Sequence, residues 1–157
     1  MINRKVEINY EEFSSPSEMN TLDRELAAEA VRAQKSSYAP YSKFNVGAAL
    51  RLDNGNIVIG SNQENAASPS GLCAERTALF AAGANHLGVA VVSIAIAGGP
   101  DFALCNDPAT PCGACRQVMA EYQKIGGKDM SVILVGKDKI WKFRRVDDVL
   151  PFIFDSI

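Results

Sequence analysis

The sequence lacks any run of about eighteen apolar residues, and its opening, MINRKVEINYEEF, has no apolar segment followed by a cleavage site. It also lacks an excess of positive charge, since 16 lysines and arginines stand against 18 aspartates and glutamates for a net charge of −2. Nucleic acids and anionic membranes attract proteins through such an excess, so neither is expected as a partner. We expect a cytoplasmic protein with a small, neutral or weakly charged ligand.

Histidine is nearly absent, with His86 alone, and cysteine occurs at only four positions. His86 follows the predicted end of a helix and is expected at the surface. In a reducing compartment, cysteines are more often free thiols or metal ligands than disulfide partners. The spacing of these cysteines therefore says more about function than their number does.

The remaining composition, 47% hydrophobic and 22% charged over 157 residues, is typical of one globular domain. We expect an N-terminal arm over residues 1–15 and a single domain over residues 16–157. Within the arm, KVEINYEEF alternates apolar and polar residues, which suits either a short edge strand or a tail that clasps a partner.

Helical and strand-like segments alternate along the domain. The strand-like runs are KFNVGAALRL, NIVIGSN, VAVVSIAIAG, SVILVG and IWKFR, and the helical segments cover 16–37, 73–85, 113–125 and 146–150. The apolar face of the first helix is expected at Met19, Leu22, Leu26, Ala30 and Val31. Asp53-Asn54-Gly55 predicts a hairpin between the first two strands, and the third run, apolar throughout, predicts the centre of the sheet. This order predicts an α/β fold, a three-layer α-β-α sandwich with a mixed five-stranded sheet.

Three of the four cysteines lie where two helices are expected to begin. Cys73 opens the second helical segment, while Cys112 and Cys115 follow Pro111 and share one face of the first turn of the third. Helix N-termini lower the pKa of thiols, and soft thiolate ligands suit zinc. Three thiolates leave one tetrahedral position open for water, which is the mark of a catalytic zinc site.

Glu75 lies two residues after Cys73, within reach of a water molecule at that open position. A carboxylate there can take up a proton and pass it to a substrate, so we assign Glu75 as the catalytic proton shuttle. Zinc with three thiolates carries a net negative charge, which a nearby cation would offset. Arg76 is the predicted donor to the thiolates, with Arg116 as a second candidate.

Other interpretations of the cysteines are open. Cys105 could close the site as a fourth ligand, but a closed structural site would leave Glu75 without a role. Thioredoxin-like redox chemistry is disfavoured because the CxxC pair does not follow an N-terminal βαβ pattern. An enzyme is therefore expected, with a purely structural zinc module as the non-enzymatic alternative.

The segments CAERTALF and PCGACRQVMAE resemble the cytidine deaminases of nucleoside salvage, in the short class that uses three cysteines. The similarity runs from about Leu22 to Phe154, and YAPYSKFNVGAAL and NQENAA resemble the substrate wall and the ribose-binding segment of that family. The resemblance implies one Zn²⁺ per subunit, a homotetramer, and hydrolytic deamination of cytidine and deoxycytidine. In that reaction Glu75 would protonate N3 of the base and later the leaving amine.

The resemblance also implies a set of substrate contacts. Phe44 would pack on the base, Asn62 and Glu64 would bind the ribose hydroxyls, the Ala74 N–H and Thr110 C=O would contact the base edge, and Phe154 would reach the site of a neighbouring subunit. An apolar slot for the ring and paired polar groups for the sugar are what a neutral nucleoside requires.

Two positions depart from the family pattern. Ser68 stands where many members carry tyrosine, which affects contacts on the 5′ side of the ribose, and Asn45 stands where they carry proline. An alternative substrate is therefore a modified nucleoside or a nucleoside antibiotic of the blasticidin type, although the intact NQENA segment argues against it. A polynucleotide-editing deaminase is disfavoured by the balance of charges.

Overall fold

The computed structural model describes residues 1–155, which form a mixed sheet with helices on both faces. The strands are β1 (Tyr10–Phe13), β2 (Phe44–Leu52), β3 (Ile57–Ser61), β4 (Val91–Pro100), β5 (Ser131–Val135) and β6 (Ile140–Phe143). The helices are α1 (Thr21–Ala33), α2 (Ala74–Asn85) and α3 (Gly113–Gly126), with short 3-10 turns at Pro16–Glu18, Gln34–Ser36, Ser68–Ser70 and Val146–Asp148. None of the helices in this described part of the chain combines the length and the apolar character needed to cross a bilayer.

The strands lie in the order β1-β6-β5-β4-β2-β3. β4 lies inside the sheet, parallel to β5 and antiparallel to β2. Most of its residues are buried, because helices cover the sheet on both sides. The mixed sheet and the inner position of the third apolar run, both expected from the sequence, are confirmed.

The sheet has six strands, so the expectation of five was wrong by one edge strand. The added strand is β1, which pairs antiparallel with β6. The Tyr10 ring stacks on Phe143 with centroids 5.2 Å apart and meets Trp141 edge-on at 5.7 Å. The indole N–H of Trp141 also donates to Glu12 at 2.7 Å. These aromatic contacts hold β1 against an edge that would otherwise expose unpaired backbone groups.

Two apolar cores separate the sheet from its helices, as a three-layer sandwich requires. One core, between α1 and the sheet, includes Leu26, Ala30, Ala49, Ala95 and Ile133. The other, between the sheet and the pair α2 and α3, includes Leu50, Leu79, Ile94, Met119 and Leu134. The expected α-β-α layering is therefore confirmed.

α1 is shorter than the predicted segment 16–37 and presents a different stripe to the sheet. Asn20 is the N-cap of α1, because its side-chain oxygen accepts the backbone N–H of Asp23 at 2.9 Å, and the helix therefore begins only at Thr21. Leu22 and Val31 are 58% and 36% exposed, while Ala27 is buried. In a helix rich in alanine, the spacing of leucine and valine does not locate the buried stripe.

α2 and α3 begin one residue after Cys73 and Cys112, close to where the sequence predicts them. The predicted helix over 146–150 is a single 3-10 turn, Val146–Asp148. Pro151 follows closely, and a residue before proline avoids the helical region, which limits this segment to one turn.

Gly60 in β3 brings α2 close to the sheet. A Cβ atom at Gly60 would lie 2.5 Å from the Ala78 nitrogen and 2.8 Å from the Ala74 oxygen, both far inside van der Waals contact. The absence of a side chain therefore lets the first turns of α2 rest on the backbone of β3. Cys73 and Glu75 belong to this end of α2, so the contact helps to fix their positions.

Candidate metal centre and active site

Cys73 and Cys112 occupy equivalent places in two helices. Each is the N-cap residue, with an extended backbone, and in neither does the side chain bond to the N–H groups of its own helix. Cys115 lies buried in the first turn of α3. The three Sγ atoms lie within 4.8 Å of one another, and those of Cys112 and Cys115 are 3.5 Å apart. Two helix N-termini therefore bring three thiols to one point, as the spacing predicts.

This spacing fits a zinc ion. Thiolates bound at about 2.3 Å to one tetrahedral zinc lie about 3.8 Å from each other, close to the separations of these sulfurs. Within residues 1–155, the group of candidate ligand atoms holds the three sulfurs of Cys73, Cys112 and Cys115, and Cys105 is not among them. Three protein ligands is the number found in catalytic zinc sites.

The shifted pKa values of the clustered thiols also indicate a binding site for a cation. The pKa of Cys73 is lowered to about 5, first by a hydrogen bond from Cys115 and further by Arg76, while partial burial opposes the change. The pKa of Cys115 is raised, first by the same hydrogen bond and then by burial. One thiolate thus forms readily and a second beside it does not. A divalent metal supplies the positive charge that lets neighbouring thiols ionise together.

Glu75 lies in the first turn of α2 and is only 4% exposed. Burial is the main reason that the pKa of its carboxyl is raised, and the charge of the Cys73 thiolate acts in the same direction. A carboxyl with a raised pKa holds a proton closer to neutral pH, as a general acid must. The position beside the sulfurs suits the proton-shuttle role assigned from the sequence.

Arg76 and Arg116, the two cationic candidates, have different partners. Arg76 Nη2 lies 3.5 Å from Cys73 Sγ, at the distance of a hydrogen bond to sulfur. Its Nε is buried and makes no hydrogen bond within the described residues. Arg116 instead donates to the carbonyl oxygens of Pro111 and Val149, at 2.8 and 2.9 Å. Arg76 therefore neutralises sulfur charge, while Arg116 braces the segment that leads to Cys112.

A cavity of about 390 Å³ opens beside Cys73 and Arg76. Its lining includes Asn62 and Glu64, which the family resemblance assigns to the ribose, and Ser68, which departs from the family pattern on the 5′ side of the sugar. It also includes Tyr41 and Leu72, which sequence reasoning did not single out. The signal for Tyr41 was the pair of aromatics in YAPYS, in a segment otherwise made of small and polar residues.

The side chains of Asn62 and Glu64 are already held by backbone groups. Asn62 accepts an N–H and donates to a C=O of β2, each at 2.8 Å. Glu64 accepts the backbone N–H groups of Tyr41 and Ser42 at 2.9 and 3.2 Å. The pKa of Glu64 is lowered, first by the hydroxyl of Ser42 and also by these N–H groups. An amide and a carboxylate have further hydrogen-bonding capacity, so both residues can still bind a sugar hydroxyl.

Phe44, at the start of β2, is partly buried against β4. Its Cε1 atom lies 3.2 Å from where a Cβ on Gly98 would stand, and the Ala109 Cβ lies 3.5 Å from the same point. The ring therefore rests over a bare stretch of β4 backbone, close to the loop that carries Thr110. This arrangement suits a flat wall against which a base could stack.

The other three predicted contact residues lie at the ends of elements. Ala74 is fully buried as the first residue of α2, and Thr110 is exposed just before Pro111. Phe154 is 67% exposed. Its backbone C=O accepts from the Gln117 side chain at 2.8 Å and its N–H donates to the same side chain at 3.3 Å. The chain end is thus fixed to α3 while the ring remains in solvent.

A three-layer sandwich with three thiols at paired helix N-termini and a buried carboxyl beside them defines the class of zinc-dependent deaminases. The sequence model described as the cytidine and deoxycytidylate deaminase zinc-binding region matches residues 20–127. The chain belongs to this cytidine and deoxycytidylate deaminase family, and its three clustered cysteines bind the family's zinc ion.

Individual relatives agree with this assignment. A cytidine deaminase of Halalkalibacterium halodurans is 48% identical over 101 residues, which cover 64% of this chain and 72% of that protein. A cytidine deaminase of Mycobacterium tuberculosis is 36% identical over 132 residues, 82% of this chain and 86% of the relative. The crystal structure of a cytidine deaminase from Burkholderia pseudomallei superimposes with a TM-score of 0.70 at 39% identity, covering 83% of this chain and 97% of that one.

Proposed function

We propose that the site at the N-termini of α2 and α3 converts cytidine and deoxycytidine to uridine and deoxyuridine with release of ammonia, as a step of pyrimidine salvage. The chain is a zinc-dependent cytidine deaminase, in keeping with its family and its relatives. The single observation that carries the proposal is the convergence of Cys73, Cys112 and Cys115 beside the buried carboxyl of Glu75. The alternative, a deaminase of blasticidin-type antibiotics, is not favoured by these relatives.

Each residue of the centre has a distinct role in this proposal. The three cysteines hold one zinc ion, which when bound activates water for attack on an electrophilic carbon. Glu75 would give its proton to N3 of the pyrimidine, take one from the attacking water and pass it to the leaving amine, and then recover a proton from the C4 hydroxyl as the carbonyl forms. Arg76, 3.5 Å from Cys73 Sγ, offsets the charge of the thiolates.

The substrate contacts follow from the cavity and its surroundings. Phe44 packs on the base, and the N–H of Ala74 and the C=O of Thr110 contact its polar edge. Asn62 and Glu64 bind the ribose hydroxyls, and the backbone bonds of Glu64 hold its carboxylate in place before the sugar arrives. A carboxylate in the cavity also disfavours an anionic substituent on the sugar, so a nucleoside is preferred over a nucleotide.

The experiment that tests this function compares four substrates. Purified, zinc-loaded protein is incubated with cytidine, deoxycytidine, free cytosine and single-stranded DNA, and ammonia release is followed for each. We expect turnover of the two nucleosides and little of the others, because only a nucleoside supplies both the ring and the sugar hydroxyls that the site binds. Activity on DNA without activity on nucleosides would reject the proposal.

Two further properties belong to this proposal. We expect a homotetramer, supported by the exposed apolar side chains of Phe80, Leu87 and Ile125, which border a cavity of about 480 Å³ between α2 and α3. A cytoplasmic location is supported by the cysteines, which are not in disulfides and three of which are placed as thiolate ligands, since such ligands persist best in a reducing compartment.

A further inference from the structure

Residues with positive φ that are not glycine occur at one place in the described part of the chain. Lys43, Asp101 and Phe102 have φ values of 57°, 47° and 63°. The left-handed region costs roughly 1 to 2 kcal/mol for a residue with a Cβ, and for a bulky side chain such as phenylalanine it is a clear outlier. The two segments meet directly, since the Asp101 N–H donates to the Lys43 C=O at 3.1 Å. Such conformations persist only where surrounding contacts enforce them.

Asn45 supplies such contacts. Its side chain is 5% exposed and uses both of its polar ends. The side-chain oxygen accepts the Phe102 N–H at 3.2 Å, and the side-chain nitrogen donates to Ser37 Oγ at 2.7 Å. One amide thus joins the start of β2 to the turn after β4 and to the segment after α1.

The bonds around Asn45 form a closed ring with Gln34 and Ser37. The Ser37 hydroxyl donates to the Gln34 C=O at 2.6 Å, and the Gln34 side chain donates to the Asn45 C=O at 3.0 Å. Gln34 is itself buried. A largely buried ring of hydrogen bonds is more rigid than its separate bonds would be. The first residues of β2 are therefore anchored firmly on the α1 face of the sheet.

The opposite face of the same strand carries Phe44. Successive side chains of a strand alternate between faces, so a fixed Asn45 fixes the direction of its neighbour. The turn at Asp101 and Phe102 also opens the loop over 101–112, which passes Ala109 beside the Phe44 ring and continues to the metal-binding cysteines. Asn45 thus sets the distance between the strand that holds Phe44 and the start of this loop.

We propose that Asn45 is a positioning residue for the base-binding wall: by bonding the Asp101–Phe102 turn to β2, it places Phe44 and the loop toward Thr110 at the spacing that a pyrimidine ring requires. This inference rests on the proposed function, in which Phe44 packs on the base. Asn45 lies on the α1 face of the sheet, away from the sulfur cluster, so its removal should weaken substrate binding more than it slows the chemical step.

The test uses Asn45→Ala in the full-length, zinc-loaded enzyme. We expect KM for cytidine to rise about tenfold while kcat changes by less than about threefold, because loss of a buried hydrogen-bonding pair disturbs the wall and leaves the metal centre intact. Zinc content should stay at one ion per chain. Hydrogen exchange measured without substrate should speed up at the Phe102 amide by about tenfold or more.

Two other variants sharpen the comparison. Asn45→Asp keeps the acceptor for the Phe102 N–H, so hydrogen exchange at Phe102 should stay near the native rate. It loses the donor to Ser37, so its KM should lie between those of the native enzyme and Asn45→Ala. Ser93→Ala is the matched control, because Ser93 is also buried in the sheet and loses a side-chain bond, the 2.7 Å contact with Ser131, away from the site. It should lower stability without changing KM.

An unchanged KM in Asn45→Ala, or a rise equalled by Ser93→Ala, overturns the inference, as does native exchange at Phe102. Should Asn45→Ala fail to fold, Asn45→Asp decides the matter through KM alone, because its exchange at Phe102 is expected to stay near the native rate: a KM above the native value supports the inference, and a native KM overturns it. A native enzyme that is inactive on cytidine would instead reject the proposed function, so the two failures are distinguishable.

Discussion

In the proposed mechanism, proton transfer and metal binding belong to different side chains at one helix end. Cys73 offers a sulfur to the metal, whereas Glu75, two residues on, is buried and outside the group of ligand atoms. Replacing the acid should therefore leave the zinc in place. Replacing a ligand should remove it.

We predict that Glu75→Gln retains about one zinc per chain and loses roughly 10²- to 10⁴-fold in kcat, because glutamine keeps the shape of glutamate but carries no transferable proton. Cys112→Ala removes a ligand itself. Its zinc affinity should therefore fall by more than the roughly 10- to 100-fold loss that follows removal of a residue hydrogen-bonded to a ligand. Zinc measured by mass spectrometry after dialysis, with kcat on cytidine, checks both results.

Cys105→Ala is the control for the zinc measurement, because Cys105 lies outside the sulfur cluster. It should keep its metal. Native turnover in Glu75→Gln would remove the shuttle role, and zinc loss in Cys105→Ala would show that a fourth sulfur takes part.

At the scale of elements, the contact between α2 and β3 decides whether the site is assembled. The backbone of α2 lies where a side chain on Gly60 would stand, 2.5 Å from the Ala78 nitrogen. We predict that Gly60→Ala displaces α2 and costs about 1 to 3 kcal/mol of unfolding free energy, with reduced zinc affinity because the helix carries Cys73. Urea denaturation and zinc titration measure the two effects.

Gly113→Ala is the matched control, since a Cβ there meets no atom within 4 Å, and Gly113 is the first residue of α3. It should be neutral or stabilising by up to about 1 kcal/mol, because alanine has the higher helix propensity. Equal losses in the two variants would mean that the close approach at Gly60 does not position the helix.

The elements also show how far sequence reasoning reaches. The convergence of Cys73, Cys112 and Cys115 could be predicted because helix starts have local signals in proline and in the apolar period that follows. The pairing of β1 with β6 could not be predicted, because it depends on contact between Tyr10 and Phe143, which lie more than a hundred residues apart in the sequence. The proposed role of Asn45 could not be predicted either, because its partner Phe102 is distant in the sequence. A polar residue inside an apolar strand does indicate that another group forms a hydrogen bond with it.

At the scale of the molecule, the C-terminal segment and the face of α2 and α3 keep several large apolar side chains in solvent. Phe152 and Phe154 are 83% and 67% exposed, and Phe154 is held in place through its backbone by Gln117. A fixed backbone with an exposed aromatic ring suits a contact with another copy of the chain. In the proposed homotetramer, this contact would place Phe154 in the active site of a neighbouring subunit.

Subunit mixing tests that arrangement. We predict that native enzyme has four times the 16.9 kDa mass of one chain by light scattering, and that Phe154→Ala and Glu75→Gln are each poorly active alone. Co-expressed, they should regain activity at on the order of a quarter of the sites, because some sites then combine Glu75 from one subunit with Phe154 from its neighbour.

The control is Phe152→Ala co-expressed with Glu75→Gln. This mixture should show no activity beyond that of Phe152→Ala itself. Mixed tetramers no more active than the two variants measured separately would mean that Phe154 serves its own subunit or none, and a monomeric native enzyme would exclude sharing altogether.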